Sequence, residues 1–197
     1  MTLAITVLTG RRPNLLRRTL DSFVTNHPNL WASAVKTALH NGGDPETSDT
    51  LDQHDWADRH TTDRLLPIGE ATTLLTRRAA EHGTDLMLRL EDDWEASPGD
   101  WWDDALSALH AGAEQVRLRK ADEPVSARCL VCRKPGHLHF TFNPTLTPTE
   151  TWMSLLPVAN ERDAMRKFHG RHAAQLQPGV FTHIGGNSSL RTNGGKP

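Results

Sequence analysis

Three consecutive acids, Glu91, Asp92 and Asp93, are the residues in this sequence with the clearest potential for chemistry. They follow residues 86–90, a short run whose apolar start predicts a buried strand of a parallel sheet. In open α/β sheets, ligands bind just outside the carboxyl ends of the strands. Carboxylates at such a point repel one another unless a cation is present, and their oxygens suit Mg²⁺ or Mn²⁺. The alternative is a solvated acidic loop before a helix that Pro98 opens.

A second set of polar residues follows the first two apolar runs of the chain. Residues 3–8 and 34–39 are predicted strands, and if they are parallel their carboxyl ends share one edge of the sheet. An arginine guanidinium matches phosphate oxygens through two donors. The candidates for holding a phosphate-bearing ligand at this edge are Thr9, Arg11, Arg12, Asn41 and Asp44. Arg77 and Arg78, in a later predicted helix, are further candidates, with a solvated helix face as the alternative.

A zinc site is a separate possibility in the second half, formed by Cys129, Cys132, His137 and His139. Cys-x₂-Cys is a zinc-knuckle spacing, and two histidines at i and i+2 point to one face of a strand. The gap of four residues between the two pairs is short for a standard finger. Small buried cysteines are also common in protein cores. Both interpretations stay open.

The elements that would position these residues alternate between strand and helix up to residue 111. Strands are predicted at residues 3–8, 34–39, 64–68 and 86–90, with helices from residue 14, over 70–82 and over 98–111. Gly83 is expected to end the second of these helices. This alternation is typical of a parallel sheet with right-handed crossovers.

The second half is predicted to be mixed. Strands are expected at residues 115–119, 127–132, 138–142 and 179–184, some of them antiparallel, and helices at 147–156 and 160–172. No repeat or convincing linker divides the chain, and 197 residues fit one ample domain. The prediction is therefore a single α/β domain.

The composition excludes several classes of protein. The chain is 37% hydrophobic and 23% charged, as in ordinary globular proteins. A formal net charge of −2 and a pI near 6.6 argue against a broad basic face for nucleic acid. The first apolar run stops at Leu8, so there is no sign of a secretion signal or a membrane span. We expect a cytoplasmic protein whose two cysteines are reduced.

Taken in order, these segments resemble the GT-A glycosyltransferases, particularly the family 2-like enzymes. Residues 5–16, with an Arg-Pro before the helix, look like that family's first strand and nucleotide loop. Residues 39–44 look like its second-strand loop, although His40 stands where the family commonly has the Asp that contacts the base. The three acids occupy the place of the DxD motif, with Glu91 for its first Asp. Residues 160–163 and 181–186 resemble the acceptor-side acidic helix and the C-terminal segment with a metal-binding histidine.

The resemblance implies a GT-A fold with a mixed, mainly parallel central sheet. Residues 1–112 would form a Rossmann-like half that binds the nucleotide sugar, and residues 113–197 the acceptor-side half. It implies Mn²⁺ or Mg²⁺ as cofactor, with Asp93 and His183 as protein ligands; the alternative for His183 is an ordinary strand histidine. A nucleoside diphosphate sugar, most simply a UDP-sugar, would be held by the loop residues above together with Arg77, Glu91 and Asp92.

An inverting transfer also needs a base that takes the proton of the acceptor hydroxyl. Glu161 and Asp163 are the candidates, and Asp163 is preferred because the family's base is commonly the later acid. The alternative for both is helix capping, since Asn160 is a good N-cap and acids favour the first helical turn.

The sequence thus predicts a metal-dependent, inverting glycosyltransferase that moves a hexose or pentose to a hydroxyl. The acceptor is open among glycans, lipids, small molecules and hydroxymethylated pyrimidines in DNA. A nucleotidyltransferase and a non-catalytic, zinc-stabilised binding module are the alternatives.

Overall fold

The computed structural model describes residues 1–119, 138, 140–142 and 144–185. Over these residues the strands are β1 (Leu3–Thr9), β2 (Val35–His40), β3 (Asp58–Thr61), β4 (Leu86–Glu91), β5 (Trp94–Ala96), β6 (Gln115–Arg117), β7 (Thr145–Pro148), β8 (Ala173–Gln175) and β9 (Phe181–His183). The helices are α1 (Pro13–Asn26), α2 (Pro28–Ser33), α3 (Pro45–Leu51), α4 (Ile68–Glu81), α5 (Trp102–His110), α6 (Thr149–Leu155) and α7 (Glu161–Lys167).

Seven of the described strands form one sheet, in the order β3-β2-β1-β4-β7-β6-β8. β1 pairs in parallel with β2 and β4, and β2 pairs in parallel with β3. β7 runs antiparallel to β4 and β6, whereas β8 is parallel to β6. β5 and β9 pair antiparallel in a small second sheet. The prediction of a mixed, mainly parallel sheet is confirmed, and the first four observed strands are parallel to one another.

The central strands are apolar because both faces of the sheet are covered. Leu86, Leu88 and Leu90 of β4 pack on the side of α1, α3 and α5, in a core that includes Leu16 and Phe23. Residues at alternate positions of the same strand face α4, α6 and α7, where Met87 packs with Trp152 and Phe168. No helix in the described ranges combines the length and apolar character needed to cross a membrane.

The register of the parallel strands brings their carboxyl ends together. Thr9 at the end of β1 lies beside His40 at the end of β2, and Leu8 lies beside Glu91 at the end of β4. The loops that follow these three strands therefore share one edge of the sheet, as the sequence predicted.

The third strand was predicted at the wrong place. It is β3, formed by Asp58–Thr61, and the predicted residues 64–68 instead lead into α4, which begins at Ile68. Within the described sheet β3 is a terminal strand that pairs with β2 alone, so it does not need the apolar pattern of a central strand. Leu66, which lies within the predicted range, packs into the core with Leu39 and Leu75.

Several shorter elements also differ from the prediction. Residues 138 and 140–142 are not strand, residues 145–148 form β7 before α6 begins, and α7 ends at Lys167 rather than at residue 172. The short elements α2, α3, β5 and β8 were not predicted, because three to seven residues carry too little periodicity. Gly83 follows α4 with φ of 67°, as expected of a residue that ends a helix.

Candidate functional site

Asp92 connects the acid triplet to the loop after β1. Its buried carboxylate accepts hydrogen bonds from the Thr9 hydroxyl at 2.9 Å, the Gly10 backbone N–H at 3.0 Å and Arg12 Nε at 3.2 Å. Arg12 Nη2 also donates to the second oxygen of Asp92. Burial raises the pKa of Asp92, and these three partners act in the opposite direction. The carboxylate therefore holds the loop after β1 against the end of β4.

Asp93 lies between Arg12 and the strand that carries His183. Its Oδ2 accepts a hydrogen bond from Arg12 Nη1 at 2.8 Å and lies 3.3 Å from His183 Nε2. The backbone at Gly185 lies close to Asp93. A Cβ added to Gly185 would be only 2.8 Å from the Asp93 carboxylate. Asp93 Oδ1 is buried and has no hydrogen-bond partner among the described residues.

The surroundings of Asp93 fit the divalent cation that the sequence implied. An unpartnered buried carboxylate oxygen and an imidazole nitrogen are suitable ligands for Mn²⁺, and Mg²⁺ takes the carboxylate. Among the residues that the structure describes, no cluster of three or more His, Cys, Asp or Glu side chains forms a complete metal site. Two protein ligands leave room for the waters and substrate phosphates that normally complete the coordination of such a cation.

Glu91 lies on the face of β4 that packs against α4, α6 and α7, because side chains alternate along a strand and Met87 is on that face. Its Oε1 is 3.7 Å from Nη2 of Arg89, two residues earlier on the same face of the strand. Burial raises the pKa of Glu91 to about 7; Arg89 lowers it, and Asp93 and Asp92 raise it. Glu91 thus belongs to a buried polar group around Arg89 rather than to the Arg12 contacts. Sequence reasoning missed Arg89, for which the available signal was an arginine inside an otherwise apolar strand.

The polar residues after β2 lie at the predicted edge, but their side chains form hydrogen bonds with other residues of the protein. The buried Asn41 amide accepts from Leu66 N at 2.7 Å and donates to Leu66 O at 3.0 Å. Asp44 is the N-cap of α3, accepts from Thr47 N at 2.9 Å and lies 3.1 Å from His40 Nε2. Burial tends to raise the pKa of Asp44, but the bonds from Thr47 and His40 leave it below the ordinary value.

Arg11 bridges the two loops. Its Nε and Nη2 donate to Gly42 O at 3.1 and 2.8 Å, so the loops after β1 and β2 are joined by one side chain. Arg77 is exposed and lines a groove of about 550 Å³ with Leu66, Leu74 and Val158. Arg78, the other candidate of that helix, pairs through two bonds of 2.7 Å with Asp58 of β3.

The two candidate bases lie at the start of α7 in different environments. Glu161 Oε1 accepts from the Thr141 hydroxyl at 2.7 Å and from Phe142 N at 2.9 Å. Asp163 accepts from Ala159 N at 3.0 Å, and its own N–H donates to the Asn160 side chain at 3.0 Å. The Ala159 bond lowers the pKa of Asp163. Asp163 is therefore part of the helix cap, whereas Glu161 faces the segment beside Arg89.

The four candidate zinc ligands, together with Gly186, lie outside the described residues. The zinc interpretation therefore stays a prediction from the sequence.

Comparisons with known proteins identify the fold. No family model matches the chain, and no curated protein sequence matches it. The S. aureus protein TarS, solved in complex with UDP-GlcNAc, is similar with a TM-score of 0.67 at 9% identity, over 98% of this chain and 61% of that one. The mannosyltransferase PcManGT of Pyrobaculum calidifontis, solved with GDP-Man and Mn²⁺, gives 0.66 at 14% identity, over 95% of this chain and 58% of that one.

A third solved structure is similar over more of its own length. Glucosyl-3-phosphoglycerate synthase of Mycobacterium tuberculosis, in complex with Mn²⁺, UDP-Glc and phosphoglyceric acid, gives a TM-score of 0.63 at 15% identity, over 94% of this chain and 72% of that one. This chain has the fold of the GT-A nucleotide-diphospho-sugar transferases. It spans 61% of the chain of TarS residues 1–349, 37% of a longer TarS chain and 58% of the PcManGT chain.

Proposed function

We propose that this protein transfers a sugar from a nucleoside diphosphate sugar to a hydroxyl acceptor, with a divalent cation at Asp93 and His183. The observation that carries the proposal is the meeting of Asp93, His183 and Arg12 at the carboxyl edge of β1 and β4. In proteins of the same fold, the bound donors are UDP-GlcNAc, GDP-Man and UDP-Glc, and two of the structures contain Mn²⁺.

Asp93 and His183 would hold the cation, Mn²⁺ or Mg²⁺. When bound, such a cation offsets the negative charge that develops on the leaving diphosphate. Asp93 contributes its unpartnered Oδ1, and the close approach of Gly185 limits the space on the other side of the carboxylate. Asp92 stays bonded to the loop after β1 and thereby keeps Arg12 beside the diphosphate position.

The donor would lie along the loops after β1 and β2. Arg11 and Arg12 lie at this edge, and Arg12 directs three of its nitrogens at Asp92 and Asp93. Arg11, bound to one neutral carbonyl group, has donors left for a phosphate. We propose a UDP-sugar as the donor, and the acceptor stays open, with a hydroxymethylated DNA base among the candidates.

For the base that takes the acceptor proton, the geometry favours Glu161 over Asp163. The bond from Ala159 N, the ion pair with Lys167 at 3.2 Å and the lowered pKa make Asp163 a weaker base and a good helix cap. Both hydrogen bonds to Glu161 reach Oε1, so we assign proton acceptance to Oε2. Inversion follows if Glu161 activates the acceptor on the face of the sugar opposite the diphosphate.

The test is a thermal-shift screen of UDP, GDP and their sugars with and without Mn²⁺. A ligand at 100 times its Kd should stabilise the fold by about 2.7 kcal/mol. The Mn²⁺-dependent part of this gain should disappear in Asp93→Asn and persist in Asp49→Asn, a matched change at an exposed position of α3. The proposal fails if no nucleoside diphosphate sugar stabilises the wild-type protein, or if both variants respond like it.

A further inference from the structure

Arg89 is a charged side chain buried in the middle of the sheet. It is 1% exposed, on the central strand β4, and its Nη2 donates to the Thr72 hydroxyl of α4 at 2.9 Å. The same nitrogen lies 3.7 Å from Glu91 Oε1. Removing a guanidinium from water is costly unless nearby groups compensate for its charge. Arg89 therefore depends on the acids around it.

Two aromatic rings and a second acid complete its surroundings. The guanidinium carbon lies 5.1 Å from the ring centre of Phe142 and 5.4 Å from that of Trp152, both within cation–π range. The backbone N–H of Phe142 is the group that donates to Glu161 at 2.9 Å. Burial lowers the pKa of Arg89, and the charges of Glu91 and Glu161 oppose this effect. One buried cation thus lies next to both an acid at the end of β4 and the segment that holds Glu161.

We propose that Arg89 is a positioning residue that sets the place of Glu161 through Phe142 while it holds Glu91 at the end of β4. The predicted effect on sugar transfer rests on the proposed function. The positioning of Glu161 by Arg89 and Phe142 rests on the contacts alone. Thr141 and Phe142 supply the two hydrogen bonds that orient Glu161, and the Phe142 ring packs on Arg89. Glu91 at the end of β4 and the segment that holds Glu161 therefore both lie against the same side chain.

The consequence for transfer follows from geometry. A base must lie within hydrogen-bond distance of the proton that it takes, and a misplacement of about 1 Å can cost about 10²-fold in rate. Loss of Arg89 should therefore lower kcat and leave the KM for the donor nearly unchanged, since the bonds of Arg12 to Asp92 and Asp93 do not involve Arg89. A lysine at this position keeps the charge but cannot present a planar group to two rings.

The first experiment measures backbone amide exchange by NMR in the metal-free protein. The Phe142 amide should exchange about 10-fold faster or more in Arg89→Met, as it should in Glu161→Ala, which removes its acceptor. Thr72→Val removes the hydroxyl at 2.9 Å at nearly constant volume and should give the same effect with smaller amplitude. Arg78→Met is the control, because it removes an arginine whose two hydrogen bonds go to Asp58 and not to Phe142 or Glu161.

The second experiment measures Mn²⁺-dependent hydrolysis of UDP-glucose to UDP and glucose, in which water takes the place of the acceptor hydroxyl. Arg89→Met should lower kcat about 10²-fold with KM within about threefold of wild type, and Arg89→Lys should recover part of the loss. If Arg89→Met does not fold, the amide exchange and the kinetics are measured on Arg89→Lys and Thr72→Val instead. The inference is overturned if the folded variants keep wild-type exchange at Phe142 or wild-type kcat. If the wild-type protein releases no UDP and binds no donor, the proposed function fails, and the exchange data alone decide the role of Arg89.

Discussion

Arg12 sets the charge balance of the two aspartates. From the sequence, three adjacent acids appeared to need a bound cation to relieve their repulsion. In the structure, Arg12 contacts Asp92 and Asp93, and Arg89 lies beside Glu91. The protein's own arginines thus compensate for the acids, and the fold does not depend on a metal for this purpose. A bound cation would add to an arrangement that is already close to neutral.

Replacing Arg12 with Ala should destabilise the metal-free protein by about 3 kcal/mol. The change leaves Asp92, whose side chain is 0% exposed, without a positive partner, and removing one member of a buried pair is costly. Arg11→Ala removes only hydrogen bonds to the Gly42 carbonyl and should cost about 1 kcal/mol or less. Urea denaturation at neutral pH measures the free energy of unfolding of both variants. Equal losses of stability would show that the ion pair between Arg12 and Asp92 stabilises the fold no more than the Arg11 hydrogen bonds do.

At the scale of helices and strands, the sequence correctly located the elements that have a clear apolar pattern. β1, β2 and β4 are buried over almost their whole length, so their positions and their common edge could be predicted. β3 could not, because Asp58, Arg59 and His60 carry no apolar signal and the strand is defined by its pairing with β2. Nor could the sequence show that the side chains of Asn41 and Asp44 form hydrogen bonds that stabilise the fold. Asn41 bonds to Leu66, which only the folded structure places beside it.

The choice between Glu161 and Asp163 as the base also depends on contacts that could not be predicted from the sequence. Both acids fit a capped helix start, and they are separated by contacts such as those with Ala159 and Phe142, which the sequence does not show. Arg89 is a further case, since an arginine in a strand signals a buried partner without identifying it. The partners come from α4, from residue 142 and from the end of the strand itself.

The contact between α4 and the segment before α7 gives a prediction for a helix glycine. A Cβ on Gly69 would lie 2.2 Å from the backbone of Ala159, whereas one on Gly10 would meet nothing within 4 Å. Gly69→Ala should therefore destabilise the protein by about 3 kcal/mol, although alanine favours a helix, because backbone must move. Gly10→Ala should change stability by about 0.5 kcal/mol or less. Thermal unfolding of the two variants checks this, and a stable Gly69→Ala would mean that the segment moves freely.

At the scale of the whole molecule, stability should depend on pH through carboxylates that are ion-paired in the fold. Arg78 donates to both oxygens of Asp58 and thereby ties the terminal strand β3 to α4. This bond lowers the pKa of Asp58 although partial burial opposes the effect. A carboxyl with a lowered pKa stabilises the fold above its ordinary pKa, and the gain is lost as pH falls through the lowered value.

Asp58→Asn should therefore cost about 2 kcal/mol at pH 7 and less than that at pH 3. Chemical denaturation of wild type and variant across this pH range gives the difference directly. Asp49→Asn, at an exposed site of α3, should leave the wild-type pH dependence unchanged. A wild-type and an Asp58→Asn curve that run parallel over the whole range would contradict the assignment.

The four hydrogen bonds that Asp92 accepts have a consequence for the thermodynamics of ligand binding. Because Thr9, Gly10 and Arg12 are bonded to a buried carboxylate of β4, the backbone after β1 is ordered by folding itself. The entropy lost in ordering that loop belongs to the free energy of folding, and a ligand at this edge does not incur it again. Preorganisation of this kind lets a small set of contacts give useful affinity, and it makes the loop's rigidity, rather than its sequence alone, the property on which binding depends.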